Sequence, residues 1–198
     1  MMKKGINIII VLCIVALFAL GGRTTISWMV DGITDAIVTI TYEHHEIHGG
    51  SFFYVKGFDA DMDDGDTIDF QITTPNTRKW THMDFEVIST RQLELHIYEE
   101  ATFAGDGDAI TPLNKNRNSS NTSGMTVQSN GTVSAIGTDI YPHIQGDATN
   151  PSRYIGGLVD RDHEIILKQN TSYRFVLESN IDNNVVTYEG LWYEHTTK

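Results

Sequence analysis

Trp80-Thr81-His82-Met83-Asp84-Phe85-Glu86-Val87 and, a few residues on, Leu93-Glu94-Leu95-His96-Ile97-Tyr98 decide the fold. In the first run Thr81, Met83, Phe85 and Val87 share one parity, and Trp80, His82, Asp84 and Glu86 share the other. In the second, Leu93, Leu95 and Ile97 alternate with Glu94, His96 and Tyr98. Successive side chains of a strand point to opposite faces, so each run reads as a half-buried strand. Only Ile88 to Gln92 lies between them, a length that predicts a hairpin with both apolar faces over one core.

The same alternation recurs outward in both directions. Further strands are expected at Ala36 to Thr41, Ser51 to Val55, Thr67 to Thr73, His163 to Lys168, Tyr173 to Glu178 and Val185 to Tyr193, which makes eight. No stretch after Met29 has the apolar spacing and caps of an amphipathic helix. Short strands separated by Gly, Asn and Asp turns predict an all-β domain, an antiparallel β-sandwich or jelly roll. Asn114 to Thr138, rich in Asn, Ser, Thr and Gly, reads as long surface loops with short strands at Met125 to Gln128 and Thr132 to Ile136. Isolated apolar residues there cannot offset the ordering entropy alone, so the segment is a candidate contact surface between subunits.

Composition sets the outer limits. A chain of 198 residues, 40% hydrophobic and 10% aromatic, suits one domain with a sizeable core. Its formal charge of −12, from 26 acidic and 14 basic residues, disfavours a nucleic-acid partner. Cys13 is the single cysteine, so no intrachain disulfide can form.

Residues 1–28 read differently from residues 29–198, the expected β-sandwich domain. Lys3 and Lys4 precede Ile6 to Leu20, in which only Asn7 is polar, followed by the small residues Gly21 and Gly22. That layout fits a cleaved secretory peptide or, at its limit of length, a membrane anchor. Met29, just before globular-looking sequence, is an alternative start that would leave the segment out of the working protein. No alternation fits this segment to a sandwich face, so it is expected to lie outside the folded domain.

Two side-chain groupings invite a metal reading. His44, Glu46 and His48 alternate, and imidazole with carboxylate is an acceptable donor set for Zn²⁺. On a strand they would share a face but spread over about 7 Å per pair, so one ion would need a bulge or ligands from another strand or subunit. A polar edge strand with hydrogen-bonded histidines is the simpler expectation. Asp59, Asp61, Asp63, Asp64, Asp66 and Asp69 open like a calcium loop, but Gly65 stands seventh and Phe70 twelfth where an EF-hand needs Gly sixth and Glu twelfth. An acidic turn between Phe58 and Ile68 is expected instead. Asn118, Asn121, Asn130 and Asn170 match the glycosylation acceptor pattern, at a frequency this composition explains by chance. There is no nucleophile elbow, Walker loop or dinucleotide fingerprint, and no cofactor is implied.

Several segments in order carry a resemblance: Asp31-Gly32-Ile33-Thr34-Asp35-Ala36, His44 to His48, Thr73 to Trp80, Ile97-Tyr98-Glu99, Asn114 to Ser119, Glu164 to Thr171, and Trp192-Tyr193-Glu194-His195. Together they resemble a family of small virion structural proteins of tailed bacteriophages, of the capsid-decoration or accessory type. The resemblance spans Asp31 to Lys198. It implies a β-rich domain, no enzymatic activity, phage structural proteins as partners and the virion as location. It also implies structural roles for Pro75 and Asn76 as a turn before Trp80, and for Asn170 as the turn into Tyr173. A homo-oligomeric working state is expected, and a membrane contact only if residues 6–20 are retained. The reading from a different class is an exported module, secreted or anchored through residues 6–20, that binds surface glycans through Trp28, Tyr141, Tyr154 or Tyr193.

Overall fold

The structure, a computed structural model, describes residues 41–149 and 164–196, and every statement below concerns those residues. The chain divides into a unit Met1–Tyr42, nearly all outside the described residues, and a unit Glu43–Lys198. The apolar segment 6–20, the expected boundary at Met29, and most of the candidate strand Ala36 to Thr41 therefore lie outside the description.

A short helix, α1 (Tyr42–Gly49), leads into eight frame strands interrupted by an insertion. The frame begins with β1 (Phe52–Met62), β2 (Thr67–Thr73), β3 (Lys79–Ser89) and β4 (Leu93–Glu99). The insertion carries β5 (Thr102–Gly105), β6 (Asp108–Ile110), β7 (Leu113–Asn114), β8 (Thr126–Ser129), β9 (Thr132–Ala135) and β10 (Thr138–Asp139). The frame resumes with β11 (His143–Gln145), β12 (Ile165–Leu167), β13 (Ser172–Ser179) and β14 (Asn184–Thr196). The seven strands expected after Thr41 are all present, with small shifts at their ends except in β1, which runs on past the expected Val55 to Met62.

The pairing is that of one long hairpin rolled up. β1 pairs with β14, β2 with β13, β3 with β12 and β4 with β11, each antiparallel. Rolling this ribbon gives one sheet in the order β12-β3-β14-β1 and a second in which β4, β13 and β2 follow one another with β11 on β4. The protein is a β-sandwich with the strand order of a jelly roll.

The expected hairpin between β3 and β4 does not form. β14 and β12 occupy the two edges of β3, and β13, β10 and β11 occupy those of β4, so the connector crosses from one sheet to the other. The apolar faces of the two strands still meet over one core. Met83, Val87, Leu93, Leu95 and Ile97 are buried there with Phe53, Phe70, Ile72, Phe175, Leu177 and Trp192. Phe70 and Phe175 stack at 5.2 Å and 4°, with Phe85 tilted against both. Tyr173 is fully buried, and burial pushes its hydroxyl up to about 12. It remains a donor to Glu99 at 3.0 Å while accepting the Lys168 N–H at 2.8 Å.

The insertion pairs with the chain's own sheet edges. β7 pairs with the free edge of β1, and β8 with that of β2, so one excursion covers both sheets on the same side. β8 and β9 fall where short strands are expected. Met125 and Val127 enter the core, a burial that composition alone hides.

α1 replaces the extended segment expected at His44 to His48. Its polar and apolar residues form no one-sided stripe, so periodicity could not reveal it. Its end does the specifying. Gly50, at φ 71°, donates to the Ile47 carbonyl, and Ser51 N–H reaches the Glu46 carbonyl, the paired bonds of a Schellman motif. Asn114 and Asn121 amides cap the Gly50 carbonyl, and Asn116 donates to the His48 carbonyl. The helix is thus held by a segment 70 residues downstream in the insertion rather than by its own propensity.

Candidate functional site: the outer face of the β3–β14 sheet

The alternation of β3 puts His82, Asp84 and Glu86 on the outer face, as their parity predicts. β14 adds Glu189, Leu191, Tyr193 and His195 to the same face, since its even-numbered partners Val186 and Trp192 are buried within. A cleft of about 360 Å³ opens here, bounded by Glu43 and Ile47 of α1 and by Phe52 and Lys115. Asp84, Glu86, Glu164 and Glu189 line it, so its wall is strongly acidic.

At one end of the cleft the side chains are organised. His82 Nδ1 bonds the Glu164 carboxylate, and both oxygens of that carboxylate receive the Tyr193 hydroxyl, at 3.0 and 2.9 Å. The His82 ring lies 4.7 Å from the Tyr193 ring at 15°, so its plane is fixed by stacking as well as by the carboxylate. His82 Nε2 meets His195 Nε2 at 2.8 Å. Tyr193 is itself buried, stacked on Phe52 at 5.9 Å.

A second histidine cluster sits on the outer face of the other sheet. His96 Nδ1 lies 2.7 Å from Asp139, and Nε2 lies 3.3 Å from Glu94. The Asp139 hydrogen bond, opposed by desolvation and helped by Glu94, raises the His96 pKa above its ordinary value. Asn180, then His96, hold Glu94 below the usual carboxylate range. Beside them Arg174 pairs with Asp69 and lies 5.8 Å over the Tyr98 ring.

The residues singled out by sequence fare differently. On α1, His44 and His48 stand four apart on one side of the helix, Nε2 to Nε2 at 2.9 Å. Glu46 turns inward, buried and bonded to Ser51 Oγ, so the three do not share a face as a strand would require. A helix advances 100° per residue, which parts i from i+2 and joins i to i+4. Of the aspartate run, Asp63, Asp64 and Asp66 form the turn between β1 and β2, shorter than the turn expected between Phe58 and Ile68; Asp59 and Asp61 lie on β1, and Asp69, on β2, pairs with Arg174. The run's carboxylates serve the backbone: Asp66 accepts Asp63 N–H at 2.9 Å and Asp59 accepts Asp61 N–H at 2.9 Å, while Asp182, from the β13–β14 corner, accepts Asp64 N–H at 3.1 Å. Among the described residues no three His, Cys, Asp or Glu side chains are arranged to hold a metal ion by themselves. His195 and Glu164 escape a sequence reading because 31 residues separate them and no local spacing links either to His82.

Among the described residues no helix is long and apolar enough to cross a membrane. No family model, curated protein or solved structure matches the chain.

Proposed function

We propose that this chain is a non-enzymatic virion structural protein whose roll docks on a repeating capsid or tail lattice of a tailed phage. One observation supports the reading: four of the segments that give the resemblance, Thr73 to Trp80, Asn114 to Ser119, Glu164 to Thr171 and Trp192 to His195, fall at joints of the roll, while Ile97 to Glu99 lies within β4 and Asp31 to Ala36 lies outside the described residues. Thr73 to Trp80 forms the β2–β3 corner, where Thr74 Oγ1 donates to the Lys168 carbonyl at 2.6 Å and accepts Thr171 N–H at 2.9 Å. Asn114 to Ser119 caps α1, and Glu164 to Thr171 supplies β12 and the corner facing Thr74. Asn170 makes that corner at φ 50°, and Glu194 clamps the insertion. Residues placed this way specify a shape, which is what a lattice component is selected for. The acidic charge adds to it, keeping exposed copies soluble and apart from packaged DNA.

Glycan binding by an exported module draws less support. Tyr193 is buried, Tyr141 is half-buried against the core, and Trp28 and Tyr154 lie outside the described residues. Quantitative mass spectrometry of purified particles from the source phage tests the proposal. Copy numbers comparable to those of a lattice protein are expected, and absence from particles overturns it.

A further inference from the structure

We infer that His82 and His195 form a two-imidazole site for a divalent transition metal ion of the zinc or nickel class, at the end of the acidic cleft. Bond geometry is the first ground. Two imidazole nitrogens bound to one tetrahedral ion at about 2.0–2.1 Å sit about 3.4 Å apart. The Nε2 atoms stand at 2.8 Å with the ring centroids 4.6 Å apart, so a small opening, about 0.6 Å, brings both nitrogens to that spacing.

The second ground is preorganisation. A metal-binding imidazole needs its lone pair on the ligating nitrogen, and a carboxylate on the other nitrogen fixes that tautomer. Glu164 does this for His82: with Nδ1–H donated to the carboxylate, Nε2 keeps the lone pair. Tyr193 locks the carboxylate through its hydroxyl and the ring through stacking.

The third is electrostatic. Asp84, Glu86 and Glu189 line the same cleft as His82, so the local potential concentrates cations beside the pair. Two protein ligands leave the remaining positions to water or to an oxygen donor of a docking partner. The ion would take the place of the proton that His195 otherwise donates to His82.

Titration of the full chain with Zn²⁺, after chelator treatment, tests this by calorimetry. The titration is repeated in the double variant His44→Ala, His48→Ala, which removes the helical pair. One saturable site per chain is expected to persist there, to weaken about 10–100-fold in Glu164→Gln, and to vanish in His195→Ala. Because the inner substitutions could disturb folding, imidazole nitrogen resonances of the unmodified chain are followed as well. Zn²⁺ is expected to shift Nε2 of both His82 and His195. Binding that disappears with His44 and His48, or resonances of His82 and His195 that stay in place at saturating Zn²⁺, overturns the inference.

Discussion

At one end of β14, Glu194 places a carboxylate in the interior; at the other, ten residues away, Asn184 places an amide. Both side chains are fully buried, and both answer the same need: where the chain leaves a sheet to cross the sandwich, its backbone polar groups lose their ladder partners and must be satisfied otherwise. Glu194 accepts from Ser123 Oγ at 2.6 Å, from Gly124 N–H at 2.9 Å and from the Trp192 indole at 3.3 Å, so its neighbours are donors alone. Lys79 Nζ stands off at 3.9 Å. Asn184 accepts Arg91 N–H at 2.9 Å and donates to the Gln92 carbonyl and Ser179 Oγ at 3.1 Å each, a mixed set that only an amide can match. The charged joint fastens the insertion to the frame. The neutral one fastens the β3–β4 crossing to the β13–β14 corner. Donor-only surroundings select a carboxylate and mixed surroundings an amide, which is why neither residue can serve at the other's end.

The contrast can be broken in graded ways. Glu194→Ala strands several buried donors at once and is expected to cost about 3–5 kcal/mol in urea unfolding, with the Ser123–Met125 backbone losing its protection from hydrogen exchange. A loss below 1 kcal/mol would show that the insertion is held by its strand pairing alone. Asn184→Ala removes four hydrogen bonds between neutral groups and is expected to cost about 2–3 kcal/mol. Its exchange signature should move to Thr90–Gln92, leaving Ser123–Met125 protected. Glu194→Gln keeps the volume but turns an NH₂ toward donors, so about 1–2 kcal/mol is expected. If that variant matched the parent chain, charge would not be what the donor set selects.

The smallest effect belongs to the surface, where His96 gives a pH signature. Its folded pKa is raised, so its contribution is complete below the unfolded value of about 6.5 and is lost as pH rises through the folded value. Glu94, lowered in the fold, contributes above its ordinary value of 4.5 and loses that contribution as pH falls. A stability maximum between these limits is expected, with a decline above pH 6.5 of less than about 1 kcal/mol because the pair is partly exposed. His96→Gln should flatten that decline in thermal melts recorded from pH 6 to 8. An unchanged slope would place the titration elsewhere.

Much of the roll was legible in the residues. Alternation at Thr81 to Val87 and Leu93 to Ile97 found two frame strands and named their buried faces, because period two is a property of the strand itself. An acidic turn between Phe58 and Ile68 was legible from its residue types, although β1 confines it to Asp63–Asp66, and the Asn170 corner came with the resemblance. Partner choice was not, so β3 and β4 looked like a hairpin although each pairs with strands near the C-terminus. α1 was hidden because its cap comes from Asn114, Asn116 and Asn121.

The sequence by itself determined an acidic all-β domain, its strand segments and which side of each faces the core, since those follow from local periodicity and charge. Only the tertiary structure decided the jelly-roll order, the burial of Glu194 and Asn184, and the meeting of His82 with His195 and Glu164. These depend on contacts across about 70 residues or more, and the free energy that selects them comes from a core no local window contains.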